Sequence, residues 1–282
     1  MQRERVSDSI IVFTSDSYAQ VTAGLVITSE GGVLIDTLAF PKETLAIRRF
    51  VEERLRQPIR YVVNSHYHAD HTTGTCFFPK ATVISHEQCR QLLDTRGRES
   101  LATAQAAAPE MDDVTLILPD LVFDEEQVLR IGDKTLRFRH SPGHSPDSIV
   151  CLVEEDQILF AADTVIPVPH FVDGHIDDLR QSLYVLLDQP YEVIVQGHGE
   201  VVLRGEIKRR IHDDIKYLDT LEAKLDTALQ KRDVEKALRG LTIESCGKSR
   251  VSLQGIGEQL HRQNIEWLRN QRQTRIPIET EQ

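Results

Sequence analysis

Within six residues the chain sets His66, His68, Asp70 and His71, and no other stretch narrows so far what it can fold into. The cluster follows residues 60–64, RYVVN, a β-branched run that reads as a strand and gives way to the polar segment SHYHADHTTG. Strand-to-loop junctions are common places for chemistry. In extended chain alternate residues point the same way, so His66 and His68 can reach one ion, while Asp70 and His71 beyond the turn can reach a second. Imidazole and carboxylate donors suit zinc, with iron or manganese also compatible. One or two such residues would pass as ordinary loop polarity; four together point to a metal site.

Two histidines do not complete a ligand set. His144 lies in SPGHSP, a turn between two strand-like runs. Asp163 closes the apolar run ILFAAD, where an acid is costly unless paired or metal-bound. His198 follows EVIVQ between Gly197 and Gly199, which let backbone approach closely. Each is weak evidence alone; three polar residues at strand ends form a pattern.

The surrounding sequence alternates strand and helix signals. Residues 10–14, 21–28 and 32–36 read as strands. A helix begins at Pro41 with Leu45, Phe50, Val51 and Leu55 on one face. A strand at 81–85 and a helix over 86–93 follow, then a long loop over 94–119 that is a candidate rim for the site. VFDEEQVLRI, KTLRFRH, SIVCLVEE and ILFAAD are successive strands. A helix over 177–187 and a strand over 191–195 lead to a long helix over 201–229. In it Ile211, Ile215, Leu218, Leu221, Leu225 and Leu229 form an apolar stripe, read as packing on the parent domain. A last helix is expected over 251–268.

The ordered set, HxHxDH, a PGH turn, an Asp at a strand end and a GHG turn, resembles the metallo-β-lactamase superfamily over roughly the first 205 residues. The resemblance implies an α/β fold, a four-layer αββα sandwich with the site at strand ends between two similar halves. Here that gives a catalytic domain over residues 1–205 and a C-terminal helical extension over 206–282 packed on it. It places His66, His68 and His144 on one metal, Asp70, His71 and His198 on a second, Asp163 between them, and Asp36, at the end of GGVLIDT, behind the ligands as a support. The carboxylate pattern is more like glyoxalase II and related thioester or lactone hydrolases than the β-lactamases that carry Cys at the second metal. Thr73 and Ala162 stand where many relatives have glycine; neither change removes a ligand.

The activity implied is hydrolysis dependent on two divalent ions, zinc foremost. A hydroxide shared by the metals would attack an ester, thioester, lactone or lactam carbonyl, with Asp70 orienting it. Tyr67, His170, His175 and the arginines Arg96, Arg98, Arg137 and Arg139 are candidates for the mouth of the site, with ordinary loop or surface polarity the favoured reading. Two rivals share the fold: a one-iron persulfide dioxygenase, opposed by the complete second ligand set, and a phosphodiesterase or nuclease. A net charge of −11 works against a nucleic acid partner. The expected partner is a small-molecule substrate, with monomer and homodimer both open. The charged opening MQRERVSDSI and the lack of a long apolar run lead us to expect neither signal peptide nor membrane span, hence the cytoplasm. Cys76, Cys89, Cys151 and Cys246 show no CxxC pairing and read as reduced thiols, Cys76 as a buried one.

Overall fold

The computed structural model describes residues 1–274. Its first sheet runs, in spatial order, β1 (Gln2–Arg5), β2 (Ile10–Thr14), β3 (Thr22–Thr28), β4 (Gly31–Ile35), β5 (Ile59–Val63), β6 (Thr82–His86) and β7 (Leu121–Phe123). Pairing is antiparallel as far as β4 and parallel beyond it. Parallel neighbours need a crossover, and α1 (Pro41–Arg49) is the first of these, followed after β5 by the short α2 (Ala69–Thr72) and after β6 by α3 (Glu87–Leu92) and α4 (Arg98–Ala107).

The second sheet holds β8 (Glu126–Ile131), β9 (Lys134–His140), β10 (Ile149–Val153), β11 (Ile158–Ala162), β12 (Val193–Gln196) and β13 (Val202–Leu203) in the order β13-β12-β11-β10-β9-β8. Only β11 and β12 pair in parallel, joined through α5 (Ile176–Leu187). The chain ends in α6 (Arg204–Leu229), α7 (Val234–Arg239) and α8 (Gly257–Thr274).

Side-chain alternation explains the layering. On β2, Ile10 and Val12 turn inward and pack with Phe138, Ile149 and Phe160 of the second sheet, while Ile11 and Phe13 turn outward onto Ile47 and Val51. In the second sheet Val150 and Leu159 face out onto Leu179 and Leu183 of α5 and Ile211 and Leu218 of α6. Helices thus cover both outer faces and the sheets bury their inner faces against each other, a four-layer αββα sandwich.

The apolar layer beneath α6 crosses residue 205 without a break and takes in Ile265 and Leu268 of α8. Five of the six stripe residues are buried and Leu229 is half-buried. A polar knot fixes α8: Asn264 Nδ2 donates to the Pro169 carbonyl at 2.7 Å and to the Tyr217 hydroxyl at 3.1 Å, which lies 3.0 Å from His261 Nδ1. Residues 275–282 of the expected extension lie outside the described residues.

Several expectations need correcting. VFDEEQVLRI is two strands in different sheets, because the chain crosses from one sheet to the other at Asp124 and Glu125. The supposed loop over 94–119 contains α4 and short helical turns at Leu93–Gly97 and Pro109–Met111. The last helix starts at Gly257 because Leu253, Gln254 and Gly255 have φ of 54°, 59° and 98°, which breaks the helical path. Leu45 is exposed and Ile47 takes its place in the core. The exposed charged strand β1 has no apolar periodicity to announce it. All four thiols are unpaired, and Cys76 is half-buried rather than buried.

Candidate metal centre

His66 and His68 follow the carboxyl end of β5, and Asp70 and His71 lie on α2. His144 comes from the turn between β9 and β10, Asp163 directly follows β11, and His198 comes two residues after β12. The structure brings all seven together. His68 Nδ1 lies 3.0 Å from His66 Nε2 and 2.9 Å from His144 Nε2. Asp70 Oδ2 lies 3.3 Å from His198 Nε2, and Asp163 Oδ1 lies 3.2 Å from His71 Nε2. Asp163 Oδ2 is 3.4 Å from both His144 Nε2 and His198 Nε2, so one oxygen faces both triads.

The far side of each imidazole determines what its near side presents. His71 Nδ1 lies 2.8 Å from Asp36 Oδ2, His198 Nδ1 2.9 Å from the Ala19 carbonyl, His144 Nδ1 2.8 Å from the His170 carbonyl, and His68 Nε2 3.0 Å from Asp173 Oδ2. Each outer partner is an acceptor, so each outer nitrogen carries the proton. His66 follows one step removed: the Ser65 hydroxyl donates to Asp36 at 2.7 Å, which leaves its oxygen to accept from His66 Nδ1 at 3.0 Å. The five inner nitrogens and two carboxylates converge on one small volume. Among the described residues, His71 Nε2 and Asp163 Oδ1 are buried without a hydrogen-bond partner. A donor set of this kind fits divalent cations: outer acceptors orient each ring, and the inner nitrogens can turn their lone pairs to a cation that displaces any proton held there.

The groups titrate in keeping with that geometry. Burial pulls His71 and His198 down, but the carboxylates of Asp70 and Asp163 outweigh it, with Asp36 adding to the effect at His71. His71 ends well above its ordinary value and His198 at about 10. Burial, then neighbouring imidazoles, lower His66 well below the usual range and His68 to about 3. Burial pushes Asp70 and Asp163 up, yet the adjoining histidines bring both below the ordinary carboxylate range.

Backbone geometry singles out three residues around the site. At Gly197 a Cβ would come within 1.9 Å of Asp163 Oδ1, so only glycine lets β12 turn past that carboxylate. Ala162 has φ 44° and Asp36 φ 58°, both left-handed, and each aims a side chain or its neighbour's into the centre. Ala162 therefore carries the strain that glycine would relieve.

Asp36 lies behind His71 and Ser65. His170 comes to the cavity, while His175 caps α5 instead. Tyr67 and Arg96 both engage Asp173, Arg96 Nη1 at 2.9 Å; Arg98 pairs with Asp94, and Arg137 with Glu126 and Glu154, away from the site. Two residues escaped the sequence reading. Asp173 orients His68, and the fully buried Asp147 accepts from the Tyr67 amide at 2.7 Å, holding the chain between the first two histidines. Burial raises Asp147 to about 6. The SPDS sequence after His144 was its one available signal.

A cavity of about 590 Å³ opens onto this cluster, between Phe40 and Tyr18 on one side, Met111 on a second, and Ile256 and Leu260 of the C-terminal segment on a third. Two sheets flanked by helices, with seven converging donors at the strand ends, define a class of metal-binding αββα proteins. The chain belongs to the metallo-β-lactamase superfamily, whose family model matches residues 18–198.

Among its relatives, an atrochrysone carboxyl ACP thioesterase of Aspergillus chevalieri is 24% identical over 135 residues, covering 48% of this chain and 40% of the relative. A human acyl-coenzyme A thioesterase is 29% identical over 206 residues, covering 64% and 71%. A solved sec-alkyl sulfatase superposes with a TM-score of 0.72 at 16% identity, covering 98% of this chain and 51% of the sulfatase, a likeness of fold alone. The chain thus spans well under two thirds of the fungal thioesterase. Among the described residues no helix is long and apolar enough to cross a membrane.

Proposed function

We propose that the protein is a metal-dependent hydrolase of small carbonyl substrates, thioesters foremost, with two divalent ions, zinc first among them. The observation that carries this is the convergence of five imidazole nitrogens and two carboxylates, each imidazole backed by an acceptor on its outer nitrogen. His66, His68 and His144 would hold one ion, Asp70, His71 and His198 the other, and Asp163 would stand between them. When bound, such ions supply Lewis acidity and a water activated at neutral pH.

The chain's own residues do the rest. Asp36 and Asp173 hold His71 and His68 in register, and Asp147 fixes the backbone between His66 and His68. Asp70, with 18% of its side chain exposed, is the more accessible of the two carboxylates facing the cavity and is placed to orient the attacking water. Phe40, Met111 and Leu260 line the cavity with apolar surface, and the less water that stands beside the donors, the stronger the charge interactions there. Burial lowers His170 to about 4, so the ring is neutral at pH 7 and a poor general acid. A thiolate, with a parent pKa of about 8.5, leaves without that help, which favours thioesters over esters and agrees with the thioesterases among the relatives. We place the protein in the cytoplasm, as monomer or homodimer, with residues 206–282 extending the catalytic domain; the unpaired thiols and the apolar layer shared across residue 205 support this.

The test is metal content per chain after purification without added metal, alongside turnover of thioester, ester, lactone, β-lactam and phosphodiester substrates. Two equivalents of zinc with thioester hydrolysis is the expected result. One equivalent of iron with oxygen uptake on a persulfide, or turnover of the phosphodiester alone, would overturn it.

A further inference from the structure

Beside the 590 Å³ cavity lies a second chamber of about 280 Å³, and His68, Ala69, Thr73, Ala104 and Met111 line both. The chamber therefore leads off the main cavity next to the all-imidazole triad, where a carbonyl under attack would sit. One wall is apolar: Leu93, Leu101, Ala104, Met111, Val114 and Leu116. Tyr67, Arg96 and Asp173 also line the chamber and satisfy one another, since Asp173 accepts from both the Tyr67 hydroxyl and Arg96. These polar groups already have partners, whereas the apolar wall has none until something fills the space.

The roof has a matching peculiarity. No residue of α4 is buried, although Leu101 and Ala104 point an apolar edge into the chamber. A helix gains most of its stability in a protein by burying such an edge, so this one is left short of contacts that an apolar occupant would supply.

From these observations we propose that the chamber receives the acyl chain of the substrate, a straight medium-length chain, while the wider cavity, with Gln259, Gln263 and His170 on its wall, takes the leaving group. The inference rests on the hydrolase reading and names its substrate class. At roughly 30 Å³ per chain carbon, about the liquid volume of a water, the chamber holds about nine. Full burial of a methylene favours binding about fourfold, so preference climbs with chain length until the chamber is full and then stops.

The experiment uses the metal-loaded full chain and thioesters of one thiol, from acetyl to tetradecanoyl. kcat/KM is expected to rise by up to about fourfold per methylene and to level or fall beyond about ten carbons. Leu101→Trp, filling the chamber, should lower the octanoyl-to-acetyl ratio at least tenfold. Leu116→Ala, enlarging it, should move the optimum one or two carbons longer. A flat chain-length profile, or an unchanged ratio in a Leu101→Trp protein that melts as the parent does, would overturn the proposal.

Calorimetric binding of octanoate and acetate to the parent and to Leu101→Trp separates the two readings. Octanoate binding that Leu101→Trp weakens, with no thioester turned over, keeps the chamber and removes the hydrolase. Turnover without chain-length preference keeps the hydrolase and removes the chamber.

Discussion

The two triads of the metal centre sit a few ångströms apart and differ in how they balance charge. His66, His68 and His144 form a ring of nitrogens with Asp163 at its edge, and burial keeps His66 and His68 neutral. Asp70, His71 and His198 include a carboxylate, with Asp36 behind His71, and in the metal-free protein His71 and His198 hold protons that a cation must displace. One triad is ready for an ion as it stands; the other is already occupied by protons. Sequence spacing separates the triads into two groups of ligands but says nothing of this asymmetry.

Five sets of measurements would break or sharpen the contrast. The largest effect falls on the ligands. Replacing the shared Asp163 by Asn should cost at least about 10³-fold in turnover, comparable with losing the main electrostatic stabiliser of an active site. His198→Ala should still retain one ion, whereas His144→Ala should lose the tighter one; equal retention in metal analysis would erase the distinction. Next come the supports. Asp173→Asn and Asp36→Asn should each weaken metal binding or activity by about 10- to 100-fold, the first on the imidazole triad and the second on the acidic one, as resolved by stepwise metal titration.

Proton release is the third. In calorimetry at pH 7 in buffers of different ionisation enthalpy, the first equivalent of metal should release almost no protons and the second should release those of His71 and His198. Equal release at both steps would contradict the asymmetry. The metal-free protein should also lose stability in both directions of pH. His198 is raised to about 10 when folded, so its contribution is present below its unfolded value of about 6.5 and disappears as pH climbs through 10. His68, depressed to about 3, contributes above about 6.5 and loses that contribution as pH falls towards 3. His198→Gln should flatten the alkaline limb of a melting-temperature profile and also weaken the acid limb, because His198 helps to hold Asp70 and Asp163 below the carboxylate range. The smallest effect belongs to the backbone: Ala162→Gly, at φ 44°, should stabilise by about 1 kcal/mol in chemical denaturation.

What sequence could reveal follows the same physics. Four of the seven donors were legible from the tight HxHxDH spacing, Asp163 because it ends an apolar run, and His144 and His198 from their places in short turns beside strand-like runs. Asp173 and Asp147 lie among other polar loop residues and carry no such mark; only the fold shows that one meets His68 and the other the Tyr67 amide. Core strands such as β2 and β11 were legible by their apolar content. α4 was not, because its apolar edge is short, Leu101 and Ala104 among alanines and polar residues, and none of it is buried, and the division of VFDEEQVLRI between two sheets depends on contacts made far away in the chain. Leu45 and Ile47 show the limit of helical periodicity, which names a face within one residue or so but not which neighbour the sheet will cover.

Val21 and His198 form a bridge between the halves, the Thr22 amide donates to the Gly197 carbonyl at 2.8 Å, and the Ala19 carbonyl orients His198 from 179 positions away. During synthesis, therefore, the first four donors emerge long before the acidic triad can close. A ribosome must deliver some two hundred residues before that triad exists, and the entropy of closing so large a loop must be met by packing of the two sheets. An ion at the acidic triad can therefore only fasten a sandwich whose two halves have already met.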